Sequence, residues 1–327
     1  MVCCFYIQIL NKEIQIIITK WIASYNDAFA YDGSAKSRTD TTKILNEQGY
    51  ESLFIRMFGE QTVDDLVYVE EMVSPGDIVI FQSPIYSSAN AEEKYISLLN
   101  ELGVITIGLL HDIDVIRFGG DLNNYRQLIN QYQGLIIASQ SLVDVIKPTV
   151  PYVIQGPWDY LTDINPLTHT PDEPIVYAGN LTEGKTAFLD EVNYLVNTYG
   201  ERYDRTIEGW QGKYDPNILP SKLEGSYGLV WDSNGYGDYQ RYNWSYKFSL
   251  YIVSGLPIIA RKGSNVGNYV ETHHLGFTVD DVLTIDKTNQ PYQKYITNVN
   301  ELANKLRRGQ SIIEKVNEIE NIISTTR

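Results

Sequence analysis

The chain has 327 residues, enough for two domains at roughly 100–200 residues each, and its apolar and charged fractions are those of an ordinary globular protein. A formal charge of −15 argues against nucleic acid as the main partner, because phosphate binding needs a concentrated basic surface. No basic tract supports a peripheral membrane association either, so any anionic ligand must find a local island of lysine, arginine and helix N-termini.

The leader MVCCFYIQIL is apolar, but Asn11, Lys12 and Glu13 interrupt it and no small-residue cleavage site follows. It is too short to span a bilayer. Cys3 and Cys4 are the only cysteines; two adjacent thiols give neither a disulfide framework nor a metal site. A cytoplasmic protein is expected.

Short β-branched runs then alternate with helical stretches. Residues 14–19 read as a buried strand, Ser37 to Gln48 as a helix ended by Gly49, and residues 51–58 as the next strand. Val63 to Val73 carries helical spacing. Strands at 77–84, 104–112 and 134–141 are separated by helices at Glu92 to Leu102 and Asn124 to Gln131. Apolar runs unbroken by polar residues mark a parallel sheet buried on both faces.

Residues 155–174 contain four prolines and little periodicity, which predicts a linker. A second series follows, with a strand at 174–179, a helix from Lys185 to Tyr199 and a strand near Tyr203–Ile207. A strand at 225–232, a helix from Ser245 to Ser254, a strand at 256–261 and one long helix from Val299 to Ile323 complete it. The predicted organisation is an α/β protein of two Rossmann-like domains. An N-terminal domain spans 1–155, a linker 156–173, a C-terminal domain 174–300 and a C-terminal helix 301–327, placed to pack back on the first domain.

Four stretches carry candidate chemistry. Lys247 sits in the first turn of a helix whose free amides and dipole favour an anion; a solvated lysine is the plainer alternative. Gly179-Asn180 ends a strand, where a missing Cβ lets a ligand approach, and Lys185 follows within reach. His111-Asp112 ends an apolar strand at the same kind of edge, and either is a candidate general base. In residues 32–40, Ser34, Lys36 and Arg38 lie in a loop or helix start suited to a sugar or phosphate. No G-x-G-x-x-G follows the first strand and no Walker lysine motif occurs, which excludes the common dinucleotide and NTPase signatures. His273-His274 reads as a turn rather than a metal pair.

Several of these pieces, namely GDIVIFQSP, the HD after the fourth strand, QGPWDY, YAGN, KYDPNILPSKLEGSYGLVWD and YNWSYKFSLYIVSGLPIIA, resemble a bacterial family. It comprises the glucosyltransferases that extend O-linked GlcNAc on serine-rich-repeat adhesins, and it is related to β-1,6-galactofuranosyltransferases of polysaccharide clusters. The resemblance implies a GT-B fold with two parallel sheets facing across a cleft, a UDP-sugar donor, a glycosylated protein or glycan acceptor, no metal cofactor and a homo-oligomer. By motif position it implies that Lys185 and Tyr214 touch UDP, that Lys247 meets the diphosphate, and that transfer inverts the anomeric centre. DGSAKSRTD is closer to the galactofuranosyltransferase branch, while residues 1–13 depart from both and the long loop expected at 21–31 is unusual for either. A non-catalytic sugar-binding module and a sugar-nucleotide epimerase share this architecture and stay open at this stage.

Overall fold

The computed structural model describes residues 18–25, 33–87, 90–203 and 205–326, without the side chains of residues 33 and 34. The leader 1–13, Cys3, Cys4, Asp32 and most of the strand expected at 14–19 lie outside the described residues, as does the Ser34 side chain.

In the first half, β1 (Lys20–Ser24), β2 (Glu51–Phe54), β4 (Ile78–Ser83), β6 (Ile105–Leu110), β7 (Gly134–Ile137) and β8 (Tyr152–Ile154) form one parallel sheet in the order β2-β1-β4-β6-β7-β8. A small parallel pair, β3 (Phe58–Gly59) and β5 (Tyr86–Ser87), stands apart from it. The strand β1 begins after the expected 14–19 run, and the loop expected at 21–31 is a strand over its first four residues, because Trp21, Ile22 and Ala23 enter the core between β2 and β4. The 51–58 run divides into β2 and β3. Helices α1 (Gly33–Glu47), α2 (Val63–Met72), α3 (Ala91–Glu101), α4 (Asp114–Arg117), α5 (Leu122–Ile129) and α6 (Gln140–Ile146) connect the strands. Thr62 caps α2 through a reciprocal pair with Asp65.

Residues 155–174 form no helix or strand. Beyond them, β9 (Ile175–Ala178), β10 (Val196–Tyr199), β11 (Trp210–Gly212), β12 (Gly228–Val230), β13 (Ile258–Arg261) and β14 (Gly276–Val279) pair in the order β11-β10-β9-β12-β13-β14, again all parallel. Helices α7 (Glu183–Thr186), α8 (Asn234–Tyr239), α9 (Tyr246–Val253) and α10 (Asn265–His273) belong to this half. Two expectations fail here. The helix from Lys185 to Tyr199 stops within a few turns, and Val196–Tyr199 becomes β10, hydrogen-bonded beside β9. The strand near Tyr203–Ile207 is absent from the described part of that stretch; the edge strand is β11.

The long C-terminal helix is two helices, α11 (Tyr292–Leu306) and α12 (Gln310–Thr326). They break at Gly309, whose φ of +69° suits glycine and whose hydrogen lies where a Cβ would meet Ile44 at 2.5 Å. Helix α11 packs on α9, whereas α12 returns to β7 and β8. At β7, Gly134 leaves room for Ile319 and Ile323. Asp159 accepts from the Ser311 and Ile312 amides at 3.1 and 2.7 Å, closing the N-terminus of α12.

Candidate functional site

In open parallel sheets, ligands bind beyond the carboxyl ends of the strands where the strand order reverses. In the second half that point lies between β9 and β12. Strand β9 ends at Gly179, with φ +147°, a conformation that L side chains rarely adopt; an added Cβ would also stand 2.9 Å from Lys247 Cε. Strand β12 runs out to Asp232. Lys247 Nζ donates to Asp232 Oδ1 at 2.6 Å, with both side chains largely buried. The Tyr177 hydroxyl donates to the same oxygen at 2.8 Å, its ring 4.8 Å from Nζ, and Gln240 Nε2 reaches Oδ2 at 3.3 Å. The Asp232 carboxylate thus holds the lysine beneath the glycine. An ammonium has three donors, so this grip leaves it able to meet an anion. Lys247 stands in the first turn of α9, which brings the start of that helix to the same edge, and Ser245 before it makes no side-chain cap bond.

The other donor candidates ring this point. Asn180 Oδ1 accepts from the Thr182 amide at 2.9 Å, and its Nδ2 donates to the Tyr203 hydroxyl at 3.1 Å, which shapes the turn after β9. Lys185, in α7, lies 4.8 Å from the ring centre of Tyr236. Tyr214 is half-buried, its ring 6.3 Å from Tyr199 and its hydroxyl donating to Gln211 O at 3.1 Å.

Facing them is the end of β6. His111 is buried and stacked on Trp158 at 4.7 Å. Its Nε2 lies 2.9 Å from Gln82 Oε1 and its Nδ1 3.2 Å from Ser37 Oγ. Since Gln82 Nε2 donates to Ala23 O, the Gln82 oxygen accepts from Nε2–H and Nδ1 accepts from Ser37. Burial, then the Arg38 charge, hold the imidazole well below its ordinary pKa. Both ring nitrogens are engaged by protein, whereas, among the described residues, the neighbouring Asp112 is held only by a longer ion pair. Asp112 is partly exposed; burial raises its pKa, opposed first by Arg117, whose guanidinium stands 3.7 Å away. Asp114 is raised likewise by burial and lowered by Arg117.

The halves meet here. The Ile113 amide donates to the Tyr239 hydroxyl at 2.8 Å, Arg117 lies 5.5 Å from the Tyr236 ring, and Lys185 is close enough to lower the Asp112 pKa. Sequence reasoning missed Asp232, Arg117, Tyr236 and Tyr239. Asp232 was findable, since it ends a buried strand just as Asp112 does.

Lys36 and Arg38 take the helix start, one of the two settings expected for them, and not a loop. They lie in the first turns of α1 and are buried. Arg38 donates to Gln82 O and Pro84 O at 2.7 and 2.9 Å, and Lys36 is enclosed where the halves join. Neither side chain is presented to solvent for closing over a ligand. Among the described residues, no three His, Cys, Asp or Glu side chains gather as a metal site, and no helix is long and apolar enough to cross a membrane.

Against known proteins, residues 19–156 match the description of the glucosyltransferase 3-like N-terminal domain and residues 175–319 that of the glucosyltransferase 3-like C-terminal domain. A curated relative named Glucosyltransferase 3, from Streptococcus gordonii, is 25% identical over 305 residues, covering 84% of this chain and 90% of its own. A β-1,6-galactofuranosyltransferase of Escherichia coli (strain K12) is 23% identical over 283 residues, covering 76% and 81%. Among solved structures, an α-glucosyltransferase in complex with UDP superposes with a TM-score of 0.59 at 12% identity, covering 93% of this chain and 99% of that one. The fold is GT-B.

Proposed function

The chain belongs to the glucosyltransferase 3-like family, and on that premise we propose that it moves a hexose from a UDP-sugar to a glycan acceptor. Glucose is the favoured sugar, on the name of the Streptococcus relative, and the resemblance of the sequence points to O-linked GlcNAc on a serine-rich-repeat adhesin as acceptor. The likeness to a galactofuranosyltransferase supports galactofuranose as the second reading.

The observation that carries the reading is the Asp232-held Lys247 beneath Gly179, at the strand-order reversal of the second sheet. Lys247 and the α9 amides meet the diphosphate, Lys185 adds charge, and Tyr214 contacts the nucleotide. As the glycosidic bond breaks, negative charge builds on the leaving UDP, and fixed cations stabilise that charge without reorganisation. Transfer on this reading needs no metal. On the facing edge, Asp112 takes the proton of the acceptor hydroxyl as that oxygen attacks the anomeric carbon opposite UDP, inverting the centre. A carboxylate with a raised pKa is a better proton acceptor than an ordinary one. Closure of the halves excludes water that would hydrolyse the donor.

The test is release of UDP from UDP-glucose in EDTA, with a GlcNAc-bearing peptide as acceptor and the product anomer read by NMR. Lys247→Met should lower turnover about 10²–10³-fold in a folded protein. Undiminished turnover in that variant would remove the diphosphate assignment. Strict dependence on added metal, or retained configuration, would remove those parts of the reading.

A further inference from the structure

The two cations of the 32–40 stretch are only partly accounted for by the site above. Arg38 braces the Gln82 carbonyl. Lys36 belongs to a buried cluster drawn from four parts of the chain. Its Nζ donates to Asp40 Oδ1 at 2.8 Å, to Asn217 Oδ1 at 3.0 Å and to Leu161 O at 3.2 Å, and lies 4.6 Å from the centre of the Tyr160 ring. The other oxygen of Asp40 accepts from the Leu161 amide at 2.9 Å and from the Tyr246 hydroxyl at 3.0 Å. Tyr160 stacks on Tyr246 with ring centres 5.0 Å apart and donates to Pro216 O. The Lys36 and Asp40 side chains are 5% and 8% exposed.

A buried ion pair is a poor stability device: desolvation offsets most of its attraction, and apolar residues of similar volume serve as well or better. Such a pair does fix geometry, because every donor and acceptor must be matched at once. What it fixes here is specific. Tyr246 is the residue before Lys247, and Pro216 and Asn217 come two and three residues after Tyr214. One pair on α1 of the first half therefore grips two of the segments of the second half that carry donor contacts, those of Tyr214 and Lys247.

We propose that Lys36 and Asp40 are positioning residues of the donor site, holding the start of α9 and the 215–217 segment in the register that binds the UDP moiety. This rests on the reading of the second half as a UDP-sugar site. It makes the nucleotide pocket dependent on a half of the protein that does not itself touch the nucleotide.

The experiment is titration calorimetry of UDP with the full chain, unaltered and as Asp40→Asn, Lys36→Met and Tyr246→Phe, together with the KM for UDP-glucose and kcat. Tyr246→Phe removes one hydroxyl and keeps the ring stack, so it serves where a charge-deleting variant fails to fold. Thr62→Ala, a cap lost on α2 far from these contacts, controls for general loosening. Each clamp variant should weaken UDP about tenfold, the loss expected from one misplaced charge-assisted hydrogen bond, and raise KM more than it lowers kcat. Thr62→Ala should leave the UDP affinity unchanged. Unaltered UDP affinity in folded Asp40→Asn or Tyr246→Phe overturns the positioning role, as does an equal loss in Thr62→Ala. Failure of the unaltered protein to bind UDP overturns the functional reading, and this inference with it.

Discussion

Asp159→Asn tests the balance of forces at the joint between the halves. Burial raises the Asp159 pKa from its ordinary 3.8 to about 7, against the lowering effect of the Ile312 and Ser311 amides. Between those two values the native state keeps a proton that the unfolded chain has released, so stability falls as pH rises through the interval. At about 1.4 kcal/mol per pH unit the full span amounts to about 4 kcal/mol, and the part between pH 5.5 and 7 to about 2 kcal/mol. Urea unfolding of both proteins from pH 5.5 to 8.5 stays above the isoelectric point near 4.7. Asparagine does not titrate, so the stability difference between the two proteins should shift by about 2 kcal/mol in favour of the variant as pH rises, then level off above pH 7. Other groups contribute alike to both proteins and cancel. A difference independent of pH, or one that shifts against the variant, would show that the two amides and the helix N-terminus outweigh burial, and the argument would fall.

Two further substitutions address the cleft. Gly179→Ala imposes a strained backbone conformation costing about 1–3 kcal/mol and drives its methyl against Lys247 Cε; thermal denaturation should show the loss, and UDP affinity should fall with it. Asp112→Asn removes the proposed base and should lower kcat about 10²–10⁴-fold with UDP binding retained. Because burial raises the Asp112 pKa, the acid limb of the unaltered enzyme's kcat/KM profile should lie above the ordinary carboxylate range, and a limb at pH 4 or below would refute the assignment.

The strands that the sequence marks best are those buried on both faces. Ile78–Ser83, Ile105–Leu110 and Ile258–Arg261 are apolar runs with nowhere to go but a sheet interior. Val196–Tyr199 was lost because its apolar residues continue a helical spacing, and only its place beside β9 makes it a strand. The edge location of Asp112, Gly179 and Lys247 was legible from local punctuation. Their convergence with Asp232 was not, since it depends on strand order. The burial of Lys36 was hidden more deeply: its partners Leu161 and Asn217 stand 125 and 181 residues along the chain, and a lysine beside a glycine and hydroxyls has the same local signature whether it faces solvent or the interior.

The break at Gly309 sends the last helix back to the half where the chain began. In β7, Gly134 lies against Ile319 and Ile323, and α12 packs on both β7 and β8, so part of the apolar cover of the first sheet is made long after the sheet itself. Synthesis normally lets an N-terminal domain fold while the rest is still being made; here the layer over β7 and β8 is incomplete until α12 has been made. A nascent chain stopped in the 290s would expose that surface, which makes the synthesis of α12 the step that completes the first half.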